Sequence, residues 1–249
     1  MNGLPDRIRA ALFDLDGVLT PTAAVHAAAW KEMFDAFLRT REGPGFRPFD
    51  QNEYNEYVDG RARADGTRSF LASRGITLPE GAVGDPADVD TVEGLSERKD
   101  EIFRRMVERG GIQPYPGSVR YLRAVRAAGL RTAVVSASRH CAQIVRAAGL
   151  DDLLDARIDG IVAARERLTG KPAPDTYRAA AGLLNVIPTQ AAVFEDAIAG
   201  VSAGRAGRFG YVVGVDRIGD QGEHSHAADL KGHGADAVVR DLADLLDES

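Results

Sequence analysis

Two hydrophobic rhythms run along this chain, and their order predicts its architecture. Short continuous apolar runs end abruptly in polar residues at three places. Ala10–Phe13 is closed by Asp14-Leu15-Asp16-Gly17, Leu130–Val135 by Ser136-Ala137-Ser138, and Ala191–Phe194 by Glu195-Asp196. Such runs are predicted to be strands buried on both faces, with weaker strands at Tyr211–Val215 and Ala237–Val239. Between them lie alanine-rich segments with helical spacing. Val119–Ala128 stops at Gly129, Ala142–Ala148 at Gly149, and Thr176–Leu184 near Asn185, residues that readily end helices. The alternation predicts an α/β fold, a Rossmann-like parallel sheet with helices on both faces. Ligands of such sheets bind outside the carboxyl ends of the strands, where all three polar closures fall.

From about Thr22 to Gly111 the rhythm changes. Helical patterns at Ala23–Leu38, Glu53–Tyr57, Gly66–Ser73 and Ser96–Glu108 are separated by breakers such as Pro44, Gly45, Pro48, Gly81, Gly84 and Pro86, with no convincing strand. The expected organisation is an α/β core of residues 1–22 and 112–249, interrupted by a helical cap of residues 23–111. Gln113-Pro114-Tyr115-Pro116-Gly117 marks the return to the core.

Composition narrows the class. The 249 residues are 44% hydrophobic and 27% charged, as in an ordinary globular protein. Lysine and arginine number 31 against 37 acidic residues, a formal charge of −6, which argues against nucleic acid or an anionic membrane as the main partner. No apolar run is long enough to span a bilayer, and the N-terminus carries Asp6, Arg7 and Arg9 without the apolar run of a secretory signal. The single cysteine, Cys141, excludes an internal disulfide and fits a reducing compartment. A cytoplasmic monomer is expected.

Asp14 and Asp16 stand two apart at a strand end, so in an extended segment both face one side. Carboxylates that close need neutralising, and a hard divalent cation with oxygen ligands does this; Glu195 and Asp196 could complete the site. Acidic residues at strand ends also serve as turn formers and helix caps, so the pair alone leaves both readings open. The order of the motifs tips the balance. Asp14-Leu15-Asp16-Gly17-Val18, Ser136 after a strand, Lys171-Pro172-Ala173-Pro174-Asp175, and Glu195-Asp196 after a strand together resemble the four motifs of the haloacid dehalogenase superfamily. The resemblance covers essentially the whole chain, and the helical block lies where that superfamily carries an inserted cap.

By that resemblance Asp14 is a nucleophile that accepts a phosphoryl group, and Asp16 is the general acid and base. Ser136 hydrogen-bonds a phosphoryl oxygen, and Lys171 neutralises charge on nucleophile and phosphate. Asp14, the Asp16 backbone carbonyl, Glu195 and Asp196 are expected to hold Mg²⁺. Asp16 marks the phosphotransfer branch rather than the dehalogenases, and the P-type ATPases of the superfamily need membrane helices that are absent.

A narrower likeness follows the first motif. Thr22, His26 and Trp30 look like the hinge helix of the β-phosphoglucomutase family, with His26 and Trp30 four apart on one helix face. Gly60 and Arg63 resemble the cap loop in which a glycine precedes, by three residues, an arginine that grips a distal phosphate. Ala137 and Ser138, after Ser136, complete the expected substrate-binding set. Two departures stand out. Asp59 occupies a position often held by lysine, with Arg61 a possible replacement, and Pro21 stands where aspartate is common. The implied reaction converts β-D-glucose 1-phosphate to glucose 6-phosphate through the 1,6-bisphosphate. A sugar-phosphate phosphatase and, behind it, a non-catalytic sugar-phosphate binding protein remain alternatives.

Two further features are read as structural. His224, His226 and His233 lie in the Gly- and Asp-rich stretch Asp216–Ala235, whose spacing matches no zinc site and which is expected to be a solvated loop. Cys141 opens a helix and is expected to be buried.

Overall fold

The computed structural model describes residues 2–217, 219 and 225–246. The chain divides into two compact units, Met1–Pro21 with Ile112–Ser249, and Thr22–Gly111.

The second unit is helical. α1 (Thr22–Glu42) buries Ala29, Trp30, Met33, Phe34, Phe37 and Leu38, a stripe recurring at three and four residues. Phe34 stacks on Trp30 at 5.2 Å and packs against Phe49 and Phe70, so one helix face organises the aromatic core of the unit. The short α2 (Gln51–Glu53) starts in a capping box between Asp50 and Glu53 and runs directly into a π-helical turn, Tyr54–Val58. α3 spans Arg63–Ser73 and α4 spans Val92–Gly110. α4 begins four residues before its hydrophobic pattern because the Thr91 side chain accepts from Gly94 N and caps it.

The first unit holds a six-stranded parallel sheet in the order β3-β2-β1-β4-β5-β6. Its strands are β1 (Ala10–Phe13), β2 (Arg131–Val135), β3 (Ala156–Ile158), β4 (Ala191–Glu195), β5 (Tyr211–Val215) and β6 (Ala237–Val239). β1 and β4 are buried throughout and β2 from Thr132 onward, which is why their sequences are continuous apolar runs rather than alternations. Helices α5 (Pro116–Ala127), α6 (Cys141–Ala147), α7 (Gly160–Glu166), α8 (Asp175–Leu183), α9 (Ile198–Ala206) and α10 (His226–Gly232) cover both faces. The order of strands reverses between β1 and β4, and a parallel sheet opens a crevice at such a point.

The expectation of a solvated loop over Asp216–Ala235 is corrected in part. Ser225 caps α10 through Ala228 N, and Leu230 is fully buried in the core. A single apolar residue per turn gave too little periodicity to announce that helix. His226 lies on α10, His233 just after it, and His224 falls outside the described residues. Among the described residues no helix is long and apolar enough to cross a membrane.

Candidate active site

Strand register assembles the site. Phe13 pairs with Val134 of β2 and with Phe194 of β4, so the next residues along, Asp14, Val135 and Glu195, come level at the sheet's carboxyl edge. Asp14 N continues the ladder by donating to Phe194 O at 2.9 Å. Into this row reaches Lys171, from the loop before α8, with its Nζ 2.5 Å from Asp14 Oδ1, 2.5 Å from Glu195 Oε1 and 3.2 Å from Val135 O. Lys171, Asp14 and Glu195 are all buried. Tyr177 of α8, also buried, donates its hydroxyl to the same Glu195 Oε1 at 2.5 Å. Gly200 faces the other side of that carboxylate. A Cβ there would overlap it, so α9 must carry glycine at this point.

The turn after β1 presents the second aspartate. Gly17 adopts φ +86°, a conformation that favours glycine, and its N donates to Thr20 O at 2.7 Å. Asp16 Oδ2 accepts from Ser136 Oγ at 3.1 Å, linking the ends of β1 and β2. Ser138 N in turn donates to Ser136 Oγ at 3.1 Å, which orients the hydroxyl. Gly160 permits the close approach of the Ala137 carbonyl, since a Cβ there would sit 2.5 Å from that oxygen. The structure therefore brings Asp14, Asp16, Ser136, Lys171 and Glu195 together, with Asp196 beside them and Ala137 and Ser138 on the adjoining loop.

Burial pushes the Asp14 carboxyl well above the usual range; Lys171 opposes this, while the Glu195 and Asp16 charges add to it. Burial also works against the Lys171 ammonium, but the Asp14 and Glu195 carboxylates outweigh it and hold its pKa above that of an ordinary lysine. Carboxylate oxygens of Asp14, Glu195 and Asp196 lie within 4.8 Å of one another. An all-oxygen cluster, buried at Asp14 and Glu195 and half-buried at Asp196, whose carboxylates outnumber the one lysine among them, fits a hard divalent cation such as Mg²⁺. Cys141 is buried, and burial pushes its thiol up, as befits a packed side chain rather than a reactive one.

Within the helical unit, the half-buried His26 and the buried Trp30, one turn apart on α1, both meet a residue the sequence did not single out. Lys99 of α4 is 1% exposed, places Nζ 2.5 Å from His26 Nδ1, and lies over the rings of Trp30 and Phe103. His26 stacks on Phe103 at 4.0 Å. Arg63 opens α3, and its guanidinium is engaged within the unit. It pairs with Asp100 at 3.0 Å and Glu97 at 3.4 Å and donates to Ser96 O at 3.0 Å. Thr22 is buried at the start of α1, and Gly60 takes φ +70° in the turn before α3. Arg61, two residues before Arg63, has a buried Nε without a hydrogen-bond partner among the described residues.

A family model for haloacid dehalogenase-like hydrolases matches residues 8–208. Over 248 residues the chain is 51% identical to a beta-phosphoglucomutase of Mycobacterium tuberculosis, a match covering 98% of this chain and 94% of that protein. The chain belongs to the haloacid dehalogenase superfamily, in its β-phosphoglucomutase-like family. A Bacillus subtilis beta-phosphoglucomutase is 31% identical over 242 residues, 96% of this chain and 92% of its own length. Among solved structures, the beta-phosphoglucomutase of Clostridium difficile superposes with a TM-score of 0.74 over 96% of this chain and 93% of its own, at 24% identity. That likeness speaks for the fold. In this family member, Tyr177, beside Glu195 in the α/β unit, and Lys99, beside His26 in the helical unit, are the residues that sequence reasoning missed.

Proposed function

We propose that this enzyme is a phosphomutase that moves a phosphoryl group through Asp14, converting β-D-glucose 1-phosphate to glucose 6-phosphate by way of the 1,6-bisphosphate. The observation that carries the reading is the Asp14 carboxylate at the end of β1, held 2.5 Å from Lys171 beside Glu195 and Asp196, in a chain half identical to a beta-phosphoglucomutase over nearly its full length.

In the first half-reaction an Asp14 carboxylate oxygen bonds to phosphorus as the bond to the leaving oxygen breaks, and Asp16 gives that oxygen a proton. In the second, Asp16 takes a proton from a sugar hydroxyl, whose oxygen attacks the phosphoryl group and restores the Asp14 carboxylate. Lys171 keeps the nucleophile oriented and offsets its charge. Ser136, now donating to Asp16, exchanges that bond for one to a phosphoryl oxygen. Asp14, the Asp16 carbonyl, Glu195 and Asp196 would hold Mg²⁺, which when bound would supply the positive charge that lets a carboxylate approach a phosphate dianion. Thr22, His26, Trp30, Gly60 and Arg63 of the helical unit, with Ala137 and Ser138, are assigned to the sugar phosphate.

A phosphatase uses the same first step and lets water take the phosphoryl group. The match to a model of hydrolases favours keeping that reading as second. One assay separates them. With Mg²⁺, β-glucose 1-phosphate and a trace of β-glucose 1,6-bisphosphate, glucose 6-phosphate should accumulate without matching release of phosphate. Phosphate released in step with substrate consumption overturns the mutase in favour of the phosphatase, and no turnover at all overturns both.

A further inference from the structure

Arg217, just past the end of β5, spends its guanidinium on the turn that follows Asp16. Its Nε donates to Gly17 O at 2.9 Å and its Nη2 to Val18 O at 3.1 Å. Nη2 also reaches Ser118 Oγ at 2.7 Å, and Ser118 donates to the same Val18 carbonyl at 2.6 Å. Nη1 is anchored on Asp241 Oδ2 at 2.6 Å, and the planar group lies 3.7 Å from the centre of the Tyr115 ring. Room for Asp241 is made by Gly117, where a Cβ would overlap its carboxylate. Tyr115 N donates to the next carbonyl, Leu19 O, at 2.9 Å. Three successive carbonyls of the turn are thus held from outside it.

The turn's own bonds close a different set of groups. Leu19 N and Thr20 N donate to Leu15 O, and Gly17 N to Thr20 O. Those bonds leave the Gly17 and Val18 carbonyls to be satisfied by Arg217 and Ser118. A planar fork can meet two carbonyls, a hydroxyl and a carboxylate at once and still stack on a ring, which a lysine cannot reproduce. The anchored turn carries Asp16, whose carboxylate must stay in register with Asp14 and Ser136.

We propose that Arg217 is a positioning residue for phosphoryl transfer. By fixing the Gly17 and Val18 carbonyls it holds the Asp16 carboxylate at the point where it can exchange a proton with the substrate, without touching the reacting atoms. The inference rests on the phosphotransfer reading of Asp14 and Asp16.

The test compares wild type, Arg217→Met, Arg217→Lys and Asp241→Asn in turnover of β-glucose 1-phosphate with Mg²⁺ and a trace of bisphosphate, per mole of folded protein measured by circular dichroism. A shift of about 1 Å in a catalytic group costs on the order of 100-fold, so Arg217→Met should lose about that factor in kcat. KM should change less than about threefold, because substrate binding is not what is lost. Arg217→Lys should recover about tenfold of the deficit, since one carbonyl contact survives. A purely structural arginine would lower the melting temperature and leave kcat per folded molecule at the wild-type level, and that result overturns the proposal. Should Arg217→Met fail to fold, Asp241→Asn decides, because it keeps the carbonyl bonds but loosens their anchor. A fall in its kcat of about threefold or more supports positioning, and an unchanged kcat overturns it. A wild-type chain that turns over no phosphate ester overturns the phosphotransfer reading instead, a failure visible before any variant is made.

Discussion

At the strand ends of the α/β unit, the Asp14 and Glu195 carboxylates are buried against the Lys171 ammonium, with the half-buried Asp16 and Asp196 close by. In the helical unit the cationic side chains of interest are matched differently. Arg63 faces Asp100 and Glu97, and Lys99 meets the His26 ring and the faces of Trp30 and Phe103. Both clusters are polar groups withdrawn from water, yet only one carries more charge than its neighbours neutralise. Surplus buried charge lowers stability unless something of opposite sign arrives, whereas a balanced cluster mainly fixes geometry. The imbalance is the mark of a place kept for a ligand. Altering it should therefore change chemistry first, and altering the balanced cluster should change much less.

The sharpest way to break the contrast is Asp14→Asn. It keeps the shape of the side chain, removes the nucleophile, and should lower phosphoryl transfer by roughly 10⁴-fold or more in a single-turnover assay. The same variant should be at least as stable as the wild type without metal, because it discharges the surplus. Lys171→Met does the opposite. Removing one partner of a buried ion pair costs about 3–5 kcal/mol, to be read from chemical denaturation of the metal-free protein at neutral pH. pH supplies an independent check. The native Asp14 carboxyl lies above its unfolded value, so over the window between them the native state holds more protons. Stability of the metal-free chain should fall as pH rises through that window. Mg²⁺ at saturation and Asp14→Asn should each flatten the slope; a slope that persists in both cases would show that the surplus charge lies elsewhere.

The balanced and unbalanced clusters were not equally legible in the amino-acid sequence. Buried parallel strands have to be apolar runs, so the polar residues that close them stand out, and Asp14, Ser136 and Glu195 were readable for that reason. Lys171 was readable through its prolines, which set it in a loop. The short β3, only Ala156–Ile158 with Arg157 exposed, leaves no run to see. Tyr177 looks like any aromatic on the inner side of a helix, and its hydroxyl contact depends on the sheet register that delivers Glu195. Lys99 sits in α4 among arginines and glutamates, a stretch that reads as a solvated face until α1 packs on it. Arg63 was readable as a loop arginine, but its partners lie more than thirty residues away. Pairings of that kind are properties of packing rather than of local pattern.

Tyr177→Phe makes a finer cut within the unbalanced cluster. The hydroxyl orients Glu195 through Oε1 from a buried position, and the substitution removes that one bond with almost no change of volume. Loss of a partner that orients a metal-binding carboxylate typically costs 10- to 100-fold in affinity, so Mg²⁺ binding followed by calorimetry should weaken by about tenfold or more. The fold should survive, since the ring keeps its packing against Phe209. Equal Mg²⁺ affinity in the two proteins would mean that Lys171 and Gly200 suffice to hold the carboxylate.

The smallest effect is expected in the helical unit, and it tests whether balance there is merely structural. Asp100→Asn takes one carboxylate from Arg63 while Glu97 and the Ser96 carbonyl keep the guanidinium in place. Asp100 is buried and Arg63 half-buried, but the guanidinium keeps two other partners, so the loss in stability should be about 1–3 kcal/mol. If Arg63 meets the non-reacting phosphate of the sugar, a carboxylate removed from its side lessens the repulsion that this dianion feels. KM for β-glucose 1-phosphate should then fall by about threefold, equivalent to less than 1 kcal/mol, with kcat unchanged. Arg61→Met in the same assay separates the two arginines of the turn. A rise in KM there, with no response to Asp100→Asn, would move phosphate recognition from the paired Arg63 to the Arg61 guanidinium, whose Nε has no hydrogen-bond partner among the described residues. Either result locates the positive charge that the helical unit has to spare, which its ion pairs otherwise conceal.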